Sequence, residues 1–449
     1  MASGNVCEDS VSMELIREAF LYQNRFAGKT VVFKIDFPVT ETAGFSYLMK
    51  DIAILAKTGI KVVIVPGAAE YINVVLREHN MISSFARGER LTTENEMQYV
   101  EMAAFHAATR FITALSASRM DAIIGNFVRA RGRGVVGGLD YKNTGVVDKI
   151  FTEAISRVLD AGMAPILPCI GWSPAGKPYN VSSNGIALAV CAALKAIKLV
   201  VITAGHSLSS DEIDAPCTVE RSEGGKILRL SPEEAKTIIK LNEKAAENNT
   251  VKGKNCAALN LALSALEEGV ERVHIVDGTE EGVILRELFS NLGAGVMIHA
   301  GEYEAIRRIR NRDIPDMLRL MEPLMQKGIL LRRSTEDIQQ KKDDYAVFVI
   351  DGAIHACAAL HNWGEGQAEI AALASDPMYS SMGAGRRLVR YLIEKAARQG
   401  CTRVFALTIS TQDWFEKLGF REVPVESLPS LKREHYNKKR ASKVFALDI

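Results

Sequence analysis

Two features of the C-terminal third could do chemistry together. The stretch DPMYSSMGAGRRLVRYLIEKAARQG begins at Asp376. It carries Gly383-Ala384-Gly385 just before a helical pattern that opens with Arg386 and Arg387. Bare backbone at a helix start exposes N–H groups, and the helix dipole adds to them, so the expected guest is an anion. Upstream, AEIAALASDP places one acid, Glu369, in an otherwise apolar run that reads as a strand. A carboxylate there is partly desolvated, which raises its pKa towards the range of a general base. An anion site beside a base suits chemistry in which a nucleophile must first lose a proton.

The surrounding pattern supplies the elements that must hold these groups. Residues 345–377 read as three short strands joined by turns, GRRLVRYLIEKAARQG as a helix, TRVFALTIS as a strand, and TQDWFEKLGF as a helix running into a turn. EYEAIRRIRNRDIPDMLRLMEPLMQKG, before them, reads as helical with a break near Pro315. This makes an α+β domain beginning near Tyr303.

The preceding ~270 residues alternate between strand and helix. TVVFKID, KVVIVPG, MAPILPCIG, KLVVITA, RVHIVDG and GVMIHAG read as strands. AGFSYLMKDIAILAKTG, KIFTEAISRVLDAG and SSNGIALAVCAALKA read as helices. Apolar runs such as KVVIVPG suggest strands buried on both faces, as in a parallel sheet. The fold class is therefore α/β: a doubly wound sheet domain over 29–302, an α+β domain over 303–449, and an N-terminal helical arm over 1–28.

Composition bounds the function classes. The chain has 449 residues, 47% hydrophobic and 24% charged, with a formal charge of +1. That balance argues against a nucleic-acid binder working by bulk charge. Seven cysteines lie scattered with no C-x-x-C pair, which signals neither a disulfide framework nor a zinc site. No apolar run reaches transmembrane length. A cytoplasmic protein without a metal is expected.

The C-terminal motifs resemble the GNAT acetyltransferases. That family's phosphate loop has the form Arg/Gln-x-x-Gly-x-Gly/Ala, which Gly383 and Gly385 match, while Ser380 departs from it. The resemblance implies that backbone amides of Met382, Gly383, Ala384, Gly385 and Arg386 hold the pyrophosphate of acetyl-CoA, a co-substrate rather than a resident cofactor. GILLRRS, AEIAALASDP, LTISTQDWFEKLGF and YNKKRASKVF are similar to the bacterial-type N-acetylglutamate synthase family. By that resemblance Glu369 is the general base. Phe415 stands where many GNAT members have an acidic Tyr, and Thr408 matches the hydroxyl offered instead, expected to orient or relay a proton. L-glutamate as acceptor brings two carboxylates, which planar guanidinium groups suit. Arg332 and Arg333 form an adjacent pair on an expected strand, where only one can readily point inward. The resemblance selects Arg332, with Arg440 and Ser442 as further carboxylate contacts.

Residues 29–300 resemble the amino-acid kinase fold, acetylglutamate kinase in particular, through GKTVVFKID, IVPGAAEYIN, DYKNTGVVDKI, GKPYNVSSNGIALAVCAALKA and GTEEGVILRELFSNLGAGVMI. The kinase's phosphate-cradling glycines are replaced: Asp36 and Phe37 follow Lys34, Ala68 and Ala69 follow Gly67, and Asn184 stands for the aspartate of its Asn-x-Asn-Ala-Asp motif. Phosphoryl transfer is therefore not expected. Tyr22, Glu287 and Gly293 match positions that bind arginine in arginine-sensitive relatives, which implies arginine as an effector. The whole resemblance implies a homo-oligomeric, cytoplasmic amino-acid N-acetyltransferase that binds neither nucleic acid nor membrane. The alternatives are a kinase or bifunctional kinase–synthase, and a non-catalytic arginine sensor.

Overall fold

The computed structural model describes residues 26–86, 88–205, 208–209, 211–217, 219, 221–222, 225–246, 250–289, 294–299, 304–350, 352–376, 383–440 and 442–449. The chain divides into two compact units, Met1–Gly301 and Glu302–Ile449. Of the N-terminal arm over 1–28 only residues 26–28 fall within the described set, and Tyr22 lies outside it.

The first unit is built on an eight-stranded sheet. At its centre Thr30–Ile35 pairs in parallel with Lys61–Pro66 on one side and Lys198–Thr203 on the other. All six residues of KLVVIT are buried. Such runs make strands covered on both faces rather than alternating ones. Arg272–Asp277 continues the parallel order, and Val296–His299 adds antiparallel to it.

The helices have readable ends. Glu94–Ala117 starts with a capping box between Thr93 and Glu96. Ser183–Leu194 stops at Lys195, which takes a left-handed conformation with φ 51°. Val128–Gly132, Thr144–Ile150, Ile170–Trp172 and Pro178–Val181 form a small closed barrel that the sequence reading did not separate. As a result the helix expected from 149 begins only at Thr152, because Lys149 and Ile150 close a barrel strand.

The second unit is a seven-stranded sheet with helices on both faces. One face of Tyr345–Ile350 presents Tyr345, Val347 and Val349 to Met317, Met321 and Met325 of helix Ile314–Gln326. The other face presents Phe348, whose ring lies 5.3 Å below the Arg387 guanidinium of helix Ala384–Arg398. One segment corrects the sequence reading. Glu304–Arg308 is an edge strand paired with Tyr345–Ile350, not a helix. Pro315 breaks nothing, because it sits in the first turn of its helix, where no N–H is required.

Candidate active site

The sheet of the second unit splits, and the split makes the site. Gln367–Ser375 and Arg403–Thr408 are parallel neighbours only from Gln367↔Arg403 to Glu369↔Phe405. Both strands run on beyond that point, but they part. A cavity of about 760 Å³ fills the opening, walled by Ile370, Ala372 and Leu373 on one side and by Ala406 and Thr408 on the other. A bulge shapes the first wall: Ala372 and Leu373 together oppose Ala358. Ala372 has φ 53°, which is strained for alanine and turns its peptide groups out of the ladder.

At the far end of this opening a helix begins. Gly383 precedes Ala384–Arg398 with φ 68°, a left-handed conformation that glycine takes without penalty. Gly383, Gly385, Arg386 and Arg387 all line the cavity. Met382 and Ser380 lie outside the described residues. The anion site expected from the sequence thus faces the cavity through the first helical turn.

Glu369 stands at the apex of the split, buried to 6% exposure. Burial was expected, but its two partners were not. Its Oε2 accepts the Trp363 indole N–H at 2.9 Å and the Lys432 ammonium at 2.6 Å. Desolvation is therefore not the only influence on this carboxylate.

Thr408 is buried on the opposite wall. Its Oγ1 accepts the Thr411 N–H at 3.0 Å and the Ser410 N–H at 3.3 Å. With both lone pairs engaged, its own hydrogen goes to Thr411 Oγ1, 2.8 Å away. The hydroxyl left to donate onward is that of Thr411, which also lines the cavity and which the sequence reading missed. Phe415 is buried against Phe420 and Phe445, an apolar wall with no proton to give.

The arginines are arranged differently from expectation. Residues 329–334 form no strand. The carbonyls of Gly328 and Ile329 accept from Arg440 Nη2 instead of from a neighbouring strand. Arg333 is the half-buried member of the pair and donates to the Leu331 carbonyl at 3.1 Å, while Arg332 is exposed and has no ion pair among the described residues. Arg440 is thereby brought to the Arg332 segment across 112 residues of chain. Ser442 is buried, its carbonyl accepting the Tyr436 hydroxyl at 2.7 Å.

The model of the Acetyltransferase (GNAT) family matches residues 312–420, and that of the Amino acid kinase family residues 38–277. The amino-acid acetyltransferase of Neisseria meningitidis serogroup A is 33% identical over 429 residues, covering 94% of each chain. The chain belongs to the amino-acid acetyltransferase family. Another member, from Vibrio vulnificus, is 32% identical over 444 residues, covering 96% of this chain and 97% of its own. The crystal structure of N-acetylglutamate synthase from Neisseria gonorrhoeae complexed with coenzyme A and L-arginine is similar at a TM-score of 0.81 and 31% identity, covering 97% of this chain and 99% of that one.

In this amino-acid acetyltransferase the kinase-like unit keeps a cleft of about 710 Å³ lined by Lys34, Asp36, Gly67 and Asn184. Lys34 there forms an ion pair with Asp36. A Cβ on Gly67 would lie 3.1 Å from Asp36 Oδ1, so the bare glycine makes room for the chain's own carboxylate. Glu287 is neither an exposed helix acid nor a free ligand. Its Oε1 meets His274 Nδ1 at 2.6 Å, and its Oε2 accepts from the N–H groups of Ala294 and Gly295 at 2.6 and 2.8 Å. Burial alone would raise this carboxyl, but the His274 bond and the two backbone donors hold it below the usual carboxylate range. Burial lowers His274, with Lys198 and Arg272 adding to that and Glu287 opposing it, which favours the neutral ring. Nothing in the sequence pattern joined His274 to Glu287. Gly293 lies outside the described residues.

Among the described residues no group of His, Cys, Asp or Glu is placed to hold a metal ion. No described helix is long and apolar enough to cross a membrane.

Proposed function

We propose that this protein transfers the acetyl group of acetyl-CoA to the α-amine of L-glutamate, giving N-acetylglutamate and CoA, the first step of arginine biosynthesis. The observation that carries the reading is the split sheet, with a buried carboxylate at its apex and a bare helix start at its far end. The helix start and Arg386 suit the phosphates of CoA, and the walls suit an extended chain between phosphate and thioester. Glu369 takes a proton from the α-ammonium, directly or through water. The amine nitrogen then bonds to the thioester carbon as the C–S bond breaks. The second proton that the nitrogen sheds is relayed through the Thr408–Thr411 hydroxyl pair to the leaving thiolate, so that both hydroxyls end as they began. Arg332, Arg440 and Ser442 hold the carboxylates of glutamate.

Arginine is the effector in the same proposal, bound by the first unit near Tyr22, Glu287 and Gly293. The gonococcal synthase crystallised with arginine supports this. Glu287 acts there by fixing the 294–295 backbone rather than by offering an unused carboxylate. The enzyme is cytoplasmic and a homo-oligomer, which sedimentation would test. The decisive assay follows thiol release from acetyl-CoA with L-glutamate against other amino acids. A clear preference for L-glutamate is expected, and equal rates with all of them would overturn the reading.

A further inference from the structure

The surroundings of Glu369 single out one more residue for this reaction. Lys432 and Glu369 are both largely withdrawn from solvent, with side chains 14% and 9% exposed. The ammonium of Lys432 lies 4.6 Å from the centre of the Trp363 ring, and the indole N–H reaches the same Oε2 that the ammonium does. Three side chains thus close a triangle, each touching the other two. Glu369 Oε1 accepts no hydrogen bond among the described residues.

The helix that carries Lys432 is itself tied down. Ser430–Glu434 begins where Ser430 donates both its N–H and its hydroxyl to Glu365 Oε1. Gln367 Nε2 also reaches the Ser427 carbonyl at 3.4 Å. Glu365 and Gln367 belong to the turn that starts the strand of Glu369. The turn, the helix and the base are therefore one assembly, joined across more than sixty residues of sequence.

Other ionisable groups nearby are engaged elsewhere. His361, directly across from Glu369 on the neighbouring strand, has Nδ1 2.7 Å from Asp344 Oδ2. Arg403, on the other neighbouring strand, pairs with Asp448. His435, beside Trp363, has its Nδ1 2.8 Å from the Leu431 carbonyl oxygen. Lys432 is the cation in contact with the base.

We infer that Lys432 is a positioning residue for acetyl transfer, which together with Trp363 immobilises Oε2 of Glu369 so that Oε1 alone receives the substrate proton. The inference rests on Glu369 being the base. Two hydrogen bonds from separate donors to one oxygen restrict rotation of the carboxylate, and a base works only within hydrogen-bond reach of its proton. Removing the cation also leaves a buried carboxylate without its counter-charge, which favours the protonated acid.

The test uses the full-length enzyme and follows kcat and KM against pH for Lys432→Met, Lys432→Arg and Trp363→Phe. For Lys432→Met, kcat is expected to fall about 10- to 100-fold at neutral pH, the scale of a misaligned base. The acid limb of the profile should move to higher pH, with the KM for acetyl-CoA unchanged. Lys432→Arg should recover most of the rate. Trp363→Phe keeps the ring under the ammonium and should give a smaller loss in the same direction. A wild-type profile in Lys432→Met overturns the inference. So does a raised KM for glutamate with an unmoved acid limb, which would make Lys432 a substrate contact. Glu369→Gln, run alongside, separates the two claims. If it retains full turnover, the base assignment itself fails; if it is inactive while Lys432→Met is normal, only the role of Lys432 falls.

Discussion

The two units treat their cavities in opposite ways. In the kinase-like cleft the cation is neutralised from within, because Asp36 occupies Lys34 in the space that Gly67 leaves. In the split sheet the cationic and backbone donors are left open: Arg386 lines the cavity, is exposed and has no ion pair among the described residues. The acid at the apex of the split, Glu369, is held by donors but keeps an oxygen free. A cavity that supplies its own counter-ion has little use for an anionic guest, and a cavity that withholds one is built for it. The difference assigns chemistry to the second unit and leaves the first a fold with a different task.

The sharpest way to break this contrast is Glu369→Gln. Turnover should fall about 10²- to 10⁴-fold at neutral pH, the usual scale for losing a general base. An unchanged rate and pH profile in the purified variant would remove the second unit's claim.

The next effect concerns the first unit, where burial of charge serves structure. Glu287→Ala leaves His274 without its partner in a fully enclosed place. Leaving the buried N–H groups of His274, Ala294 and Gly295 without their acceptor costs about 1–3 kcal/mol for each one left unsatisfied, read as an earlier melting transition. The same pair gives a pH dependence with a definite sign. His274 is held below its ordinary value of 6.5, and Glu287 below 4.5. The unfolded chain therefore binds more protons, so the pair's contribution is complete above pH ~6.5. It declines as pH falls below that value and further below pH ~4.5. A melting temperature that is flat from neutral pH down to pH 4 would contradict this.

Arg332→Ala should raise the KM for glutamate about 10- to 100-fold, the scale of one charge-assisted hydrogen bond, and leave that of acetyl-CoA in place. Collapse of acetyl-CoA affinity instead would move Arg332 to the other substrate's site. The smallest expected effect is none at all. ATP with N-acetylglutamate should yield no ADP, because Lys34 is already paired. Measurable phosphoryl transfer would erase the contrast between the two cavities.

Legibility in the sequence followed the range of the interactions. Glu369 could be found because an acid inside an apolar strand is conspicuous within ten residues. The glycines before Ala384 could be found because the turn is local. Lys432 could not, since its partner is 63 residues away and its neighbourhood reads as a basic, solvated tail. Arg440 was named only through the family resemblance, and its contact with the Gly328 carbonyl is made only in the folded chain. Glu304–Arg308 was misread because EYEAIRRIR suits a helix locally, while pairing with Tyr345–Ile350 decides its state. The barrel strands were missed because several are three or four residues long, too short to show a period.

The bulged strand has one more consequence, which concerns length. From Glu369 at the apex to Ser375, which lines the same cavity as Gly383, the chain takes six strand steps, about 20 Å at the rise of an extended backbone. The split sheet is therefore a ruler. In the proposed reaction one end is marked by the helix start, for a negative charge, and the other by the Glu369 carboxylate, for a proton. A donor is read by whether it spans both marks at once. An acetyl group on a short carrier would carry the same bond to be broken and still fail to register against the base.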